Sequence, residues 1–393
     1  MLETFSHHET LVLAALTYFT KPAKVKWLAQ MSDLSECAAE TALEDLTDRS
    51  ILISNLEDST YYLPPLAAQF IKTRRPEAVN LTGDELVNRV YALVMECDGN
   101  DKDFCTLDAE WDFLYAALPK LLMGDNARLQ MICTKLQVFL EYTGRWDEEI
   151  WLAGRAEMRA LAANDVERAG WRAYMAGKIY YFRNQLGEVL ECAARASEHW
   201  RESTQRNKAF AYRLRGLGFS LSKEFSDAMT FFSKVLGIWK SISTESDDVA
   251  IALNDLASVK HATKDYDAAE HDYREALCIA KKVFFNEDIA SITGNLARLN
   301  LDRERWLEAE TLAREALGLA DKIKRQDLIA MDCYCIAKAL LQQNKNLGEA
   351  LTFARRAVEI FSCLRHIKLS ETQAIRIEID KSMSNKWEFS NDL

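Results

Sequence analysis

The chain has 393 residues, 49% hydrophobic and 28% charged, with a formal charge of −11 and an isoelectric point near 5.3. That apolar content excludes the disordered class, and the acidic balance excludes a general polyanion binder, whose affinity comes from Lys and Arg displacing counterions from phosphates. Only 5 Pro and 14 Gly interrupt it, which fits a helical protein with short breaks. Its nine scattered Cys read as reduced thiols, Met1 to Glu9 lacks the basic flank of a signal peptide, and no stretch nears the roughly 20 apolar residues of a membrane span. A cytoplasmic location is expected.

Apolar spacing predicts a first helix over Glu9 to Phe19 and a second after Pro22 carrying Val25, Trp27, Leu28 and Met31. A third follows Ser35, with Ala39, Ala42, Leu43 and Leu46 on one face. The period then becomes two. Ile51 to Ser54 and Thr60 to Leu63 flank the polar turn Asn55 to Ser59, so a β-hairpin is expected, and Pro64-Pro65 opens a further helix through Ile71. Three helices and a hairpin make a winged-helix plan for residues 1–76. Residues 77–127 read as a connecting helix pair, Asp84 to Cys97 and Asp108 to Leu122, after a linker containing Pro76 and Leu81-Thr-Gly83 and with polar Asp98 to Asp103 between them.

From residue 128 a grammar recurs at intervals of 39 to 41 residues: an aromatic or leucine, a short polar step, then small residues opening an amphipathic helix. The copies begin at Trp146, Leu186, Phe225, Tyr266, Trp306 and Leu347, each preceded by another helical stretch. A period of this length marks a solenoid of stacked helix pairs, and Ala269, Ala309 and Ala350, with Gly177, Ala257 and Ala297 on the partner helices, allow the two to cross closely. The expected fold is an all-α solenoid of six such pairs over 128–365. Residues 366–393 form a capping helix, Ser370 to Met383, and a frayed tail in which Trp387 and Phe389 pack loosely.

The pattern resembles the tetratricopeptide repeat, best at Leu253-Asn-Asp-Leu-Ala257 with Tyr266 to Leu277 and at Gly294-Asn-Leu-Ala297 with Trp306 to Leu317. The front of the chain resembles the winged helix of STAND-class signalling ATPases, which leads into such repeats through a segment like Leu107 to Leu118. The chain contains no Gly-x-x-x-x-Gly-Lys-Ser/Thr, so the resemblance implies a sensor half without its nucleotide switch. It also implies a concave face lined by the first helix of each pair. Projected here, that face holds Trp171, Tyr174, Lys178, Arg213, Asn254, His261, Asn295, Arg298 and Lys338. Asparagine amides there would grip a peptide main chain, and the cations suit an acidic or carboxylate-bearing peptide.

Chemistry finds little foothold. The six His have no metal-ligand spacing, Cys333 and Cys335 point to different helix faces, and no nucleophile elbow or catalytic triad spacing occurs. No enzyme, metal or cofactor is expected. The third helix carries Glu36, Glu40, Glu44, Asp45 and Asp48 against Arg49 alone, which would repel a DNA backbone. The expectation is non-catalytic recognition of a protein or peptide. Two other readings stand beside it: a sensor subunit for a separately encoded STAND-type NTPase and, third, a winged-helix DNA-binding regulator.

Overall fold

A computed structural model describes residues 5–55, 57–97 and 101–391, which divide into two compact units, 1–139 and 140–393. The side chains of Trp387 and Phe389, and positions 56 and 98–100 within the two polar stretches, lie outside the described residues.

In the first unit α1 (His7–Leu16) starts at Ser6, whose hydroxyl accepts from the Glu9 amide at 3.1 Å while Glu9 Oε2 accepts from the Ser6 amide at 2.5 Å. This reciprocal cap satisfies donors that a helix start leaves unpaired. β1 (Ala23–Lys24), α2 (Val25–Ser32) and α3 (Glu36–Asp48) follow, then β2 (Ile53–Asn55) and β3 (Thr60–Tyr62). The three helices and the hairpin lie where the sequence places them. β1, too short to leave a period-two pattern, adds a third antiparallel strand in the order β1-β3-β2, with Ala23 opposite Tyr61 and Ile53 opposite Tyr62.

α4 (Pro65–Arg74) and α5 (Pro76–Met95) come next. The linker expected around Gly83 is therefore helix. Pro76 occupies the first turn, where its missing N–H costs nothing, and Gly83 is a packing residue: a Cβ there would lie 1.9 Å from the Tyr18 oxygen, which donates to the Val79 carbonyl at 2.6 Å. α6 (Asp101–Ala109) and α7 (Trp111–Met123) are separated at Glu110, whose carboxylate accepts from Trp27 Nε1 at 2.5 Å. Trp27 stacks between Phe19 and Phe113, with centroids 5.8 and 5.7 Å away, and anchors the unit's core.

α8 (Asn126–Tyr142) crosses into the second unit. There α9 (Trp146–Ala162) is followed by the pairs α10 (Val166–Phe182) with α11 (Leu186–His199), α12 (Gln205–Leu221) with α13 (Phe225–Ile242), and α14 (Asp247–Ala262) with α15 (Tyr266–Lys282). Then come α16 (Asn286–Asp302) with α17 (Trp306–Lys322), α18 (Gln326–Gln342) with α19 (Leu347–Leu364), and the final α20 (Leu369–Asn391). The six repeated segments each begin a helix at the residue that opens the motif. Ala269, Ala309 and Ala350 are fully buried at the crossings, and Ile375 and Ile379 of α20 cover the apolar end of the last pair. Among the described residues no helix is long and apolar enough to cross a membrane.

One feature of this unit departs from a simple stack. Trp146 of α9 and Ile179 of α10 bury against Leu364 at the end of α19, joined by Ile150, Phe182 and Ile360, and Arg365 reaches Asp147 at 2.7 Å. The start of the repeat array meets its end.

Candidate functional site

The first helices of successive pairs line a pocket of about 330 Å³, a size that suits a small ligand or part of a peptide. α10 contributes Lys178, Tyr181 and Phe182, α12 contributes Arg213 and Leu217, and α14 contributes Asn254, Asp255 and Ser258. From α16 come Asp288, Ser291, Asn295 and Arg298, from α18 Asp327 and Met331, and from the segment after α19 His366, Ile367 and Lys368.

Of the nine residues nominated from the sequence, the pocket gathers Lys178, Arg213, Asn254, Asn295 and Arg298. The other four lie off it. Trp171 packs edge-on to Tyr174 and Trp200 and tilts against Phe210, at centroid distances of 5.8, 5.2 and 4.9 Å, so its ring serves an aromatic core. Tyr174 is buried and accepts from Arg213 Nη1 at 2.6 Å. His261 faces Asp302 Oδ2 at 2.8 Å, and Lys338 lies 3.4 Å from the Tyr334 hydroxyl. Helical periodicity nominates a face but not how far along each helix the cavity extends.

Most cations of the pocket are already engaged. Arg213 forks onto Asp255, with Nε 2.5 Å from Oδ2 and Nη2 3.1 Å from Oδ1. Lys178 donates to both oxygens of Glu141 at 3.0 and 3.1 Å. Arg325, buried beneath the rings of Tyr142 and Phe182, bonds Glu141 at 3.0 Å, Asp327 at 2.6 Å and Glu287. Burial opposes charge on Glu141, yet Lys178 and Arg325 outweigh it and hold its carboxyl below the usual range. Lys368 pairs with Glu371 at 2.5 Å.

Arg298 differs. Among the described residues it is the one Lys or Arg of the lining with no carboxylate at ion-pair distance, and its buried Nε has no hydrogen-bond partner. Its guanidinium instead donates to Asn295 Oδ1, while Asn295 Nδ2 donates to Asn254 Oδ1 at 2.8 Å. The two amides and the guanidinium form a polar row across α14 and α16. His366, over the other side of the pocket, is pushed down to about 4 by burial and is neutral at pH 7.

Sequence reasoning missed Arg325, Asp288 and the 366–368 segment. Arg325 sits in a turn whose role depends on Glu141 and Tyr142, about 180 residues earlier, and nothing local announces that partnership. Asp288 occupies the first turn of α16, where an acidic residue reads as helix-dipole complement.

Residues 248–322, nearly all of α14 to α17, match the tetratricopeptide repeat family. No curated protein sequence matches the chain. Among solved structures it is similar to NprR in complex with its cognate peptide NprX, at 16% identity and a TM-score of 0.50, over 91% of this chain and 97% of that one. It is also similar to a Rap protein complexed with competence and sporulation factor, at 16% identity, TM-score 0.45, over 77% of this chain and 98% of that one. A third is a STAND protein with a tetratricopeptide repeat sensor from Pyrococcus horikoshii, at 12% identity and TM-score 0.42, over 99% of this chain and 64% of that longer one. At 16% identity the likeness to NprR is one of fold.

Proposed function

We propose that residues 140–393 recognise a peptide, or an extended segment of a protein, that carries a carboxylate, without catalysis. The observation that carries this reading is the row Asn254, Asn295 and Arg298: two half-buried amides and a guanidinium with no carboxylate partner among the described residues, all lining one pocket. Each amide retains donor or acceptor capacity after bonding its neighbour, which suits a peptide main chain, and guanidinium is the best side-chain partner for a carboxylate. Leu217, Ile251, Leu328 and Met331 supply apolar wall between these polar points. NprR, whose fold this chain shares, was crystallised with its cognate peptide.

Affinity selection from a pool of free-ended short peptides tests the proposal. The wild-type chain retains a subset at least about tenfold better than the combined Asn254→Ala, Asn295→Ala, Arg298→Ala variant, as expected when charge-assisted hydrogen bonds are removed. Equal retention by both removes the pocket from the account.

A sensor role for a separately encoded NTPase is a second reading, favoured by one observation in the first unit. Glu36, Glu40, Glu44, Asp45 and Asp48 of α3 all face solvent. Such an acidic helix suits a basic protein surface and repels a DNA backbone.

A further inference from the structure

α16 presents Asp288, Ser291, Asn295 and Arg298 to the pocket. Steps of three, four and three keep them on one helix face, and ten residues at 1.5 Å rise set the first and last about 15 Å apart. One end of this stripe is an acid and the other a base, and neither has an ion-pair partner among the described residues. Arg298 has no carboxylate at ion-pair distance among the described residues, as shown above. Asp288 is 9% exposed, and its Oδ2 has no hydrogen-bond partner among the described residues. Its counterparts in the first turns of α14 and α18 are both satisfied: Asp248 by Arg206 at 2.6 Å and Asp327 by Arg325 at 2.6 Å. A buried carboxyl without a partner carries its desolvation cost uncompensated, so this position is poorly explained by folding alone.

We propose that the ligand is a peptide of four or five residues lying extended along α16, with a carboxylate on Arg298 and a cationic group, an ammonium or a basic side chain, on Asp288. This rests on the peptide-binding reading and adds polarity and length to it. An extended chain advances about 3.3 Å per residue, so four or five residues cover the 15 Å between the two ends. Asn295 lies between them, where the peptide's backbone passes. Leu328 and Met331 of α18 also line the pocket, which favours apolar central residues.

The charge state of Asp288 supplies an independent signature. Burial, then the adjacent Glu287 charge and that of Asp247, raise the pKa of its carboxyl well above the usual aspartate range, against the opposing pull of Arg213 and Lys178. A docking cation favours the carboxylate and lowers that pKa, so at any pH below the free chain's raised value the carboxyl proton passes to buffer as the ion pair forms. Binding is therefore accompanied by proton release.

The probe is a pool of free-ended pentapeptides with apolar central residues. Its tightest member is measured by calorimetry against the full chain in three forms: unmodified, with its cationic groups acetylated, and with its C-terminus amidated. The wild-type chain is expected to lose about tenfold or more in affinity with each modification. Asp288→Asn becomes indifferent to loss of the cation but still responds to amidation, and Arg298→Gln shows the reverse. Heats in phosphate and Tris reveal proton release with the wild-type chain and none with Asp288→Asn. Asn is nearly the shape of a protonated Asp, so an unchanged melting temperature separates a binding effect from misfolding. If Asp288→Asn responds to cation removal as the wild type does, the polarity falls while peptide binding stands. If no pool member is retained by the wild-type chain, both readings fall.

Discussion

Glu149 of α9 is 4% exposed and neither carboxylate oxygen has a hydrogen-bond partner among the described residues. Burial, reinforced by the negative charge of Glu141, pushes its pKa well above the usual glutamate range against the pull of Lys178 and Arg325. A folded-state pKa raised above the unfolded value means that the unfolded chain surrenders the proton first. Its stabilising contribution is then complete below the unfolded value of 4.5 and is lost as pH rises from there towards the folded value. Glu149→Gln, which keeps the neutral shape, is expected to raise the melting temperature by about 2 °C or more at pH 8 and to leave it unchanged near pH 4. Equal melting curves at both pH values would show that Glu149 ionises freely. In the sequence this residue is one of three acids at the start of α9, and its burial depends on helices distant in the chain.

At the scale of single elements, eight of the turns between helices share one backbone device. Asn164, Asn184, Lys223, Lys264, Phe284, Glu304, Lys324 and Asn344 all have φ between 51° and 65°. The following residue's amide then reaches back five positions, as from Gln185 to the Tyr180 carbonyl at 2.9 Å and from Arg305 to the Asn300 carbonyl at 2.9 Å. That bond closes the helix end and aims the next helix antiparallel. None of the eight is glycine, so composition alone hides these turns. Apart from Gly124 and Gly144, the described glycines lie inside helices and divide by what surrounds them. A Cβ at Gly170 would lie 2.3 Å from the Trp200 ring nitrogen, whereas one at Gly237 meets nothing within 4 Å. Gly170→Ala is therefore expected to destabilise by about 1–3 kcal/mol, and Gly237→Ala to stabilise by about 1 kcal/mol, in urea unfolding. Matching signs for the two substitutions would contradict this account of the helix crossings.

At the scale of the whole repeat unit, the deciding feature is the meeting of its two ends. Ordinary solenoids gain stability from nearest-neighbour contacts, but here Arg325 at the start of α18 holds Glu141, which lies before the first repeated motif, and Arg365 holds Asp147. Arg325 is 4% exposed, and its removal leaves Glu287 and Asp327 without their shared cation. Arg325→Ala is expected to cost about 3–5 kcal/mol and to make hydrogen exchange in α9 and α10 rise with that in α18. Loss confined to α18 would mean that the ends are not energetically joined.

The sequence by itself determined the helix pairs, because small residues at crossings and an apolar spine must recur wherever one unit stacks on the next. It also nominated Asn254, Asn295 and Arg298, which share a pocket lining, since a helix face is a matter of local periodicity. Only the tertiary structure decided that Gly83 packs within a helix, that Trp171 belongs to the core, and that the array's ends meet around a pocket in which Asp288 stands unpaired. These depend on small rotations between successive pairs. Such rotations accumulate over two hundred residues and leave no trace in any window of the chain.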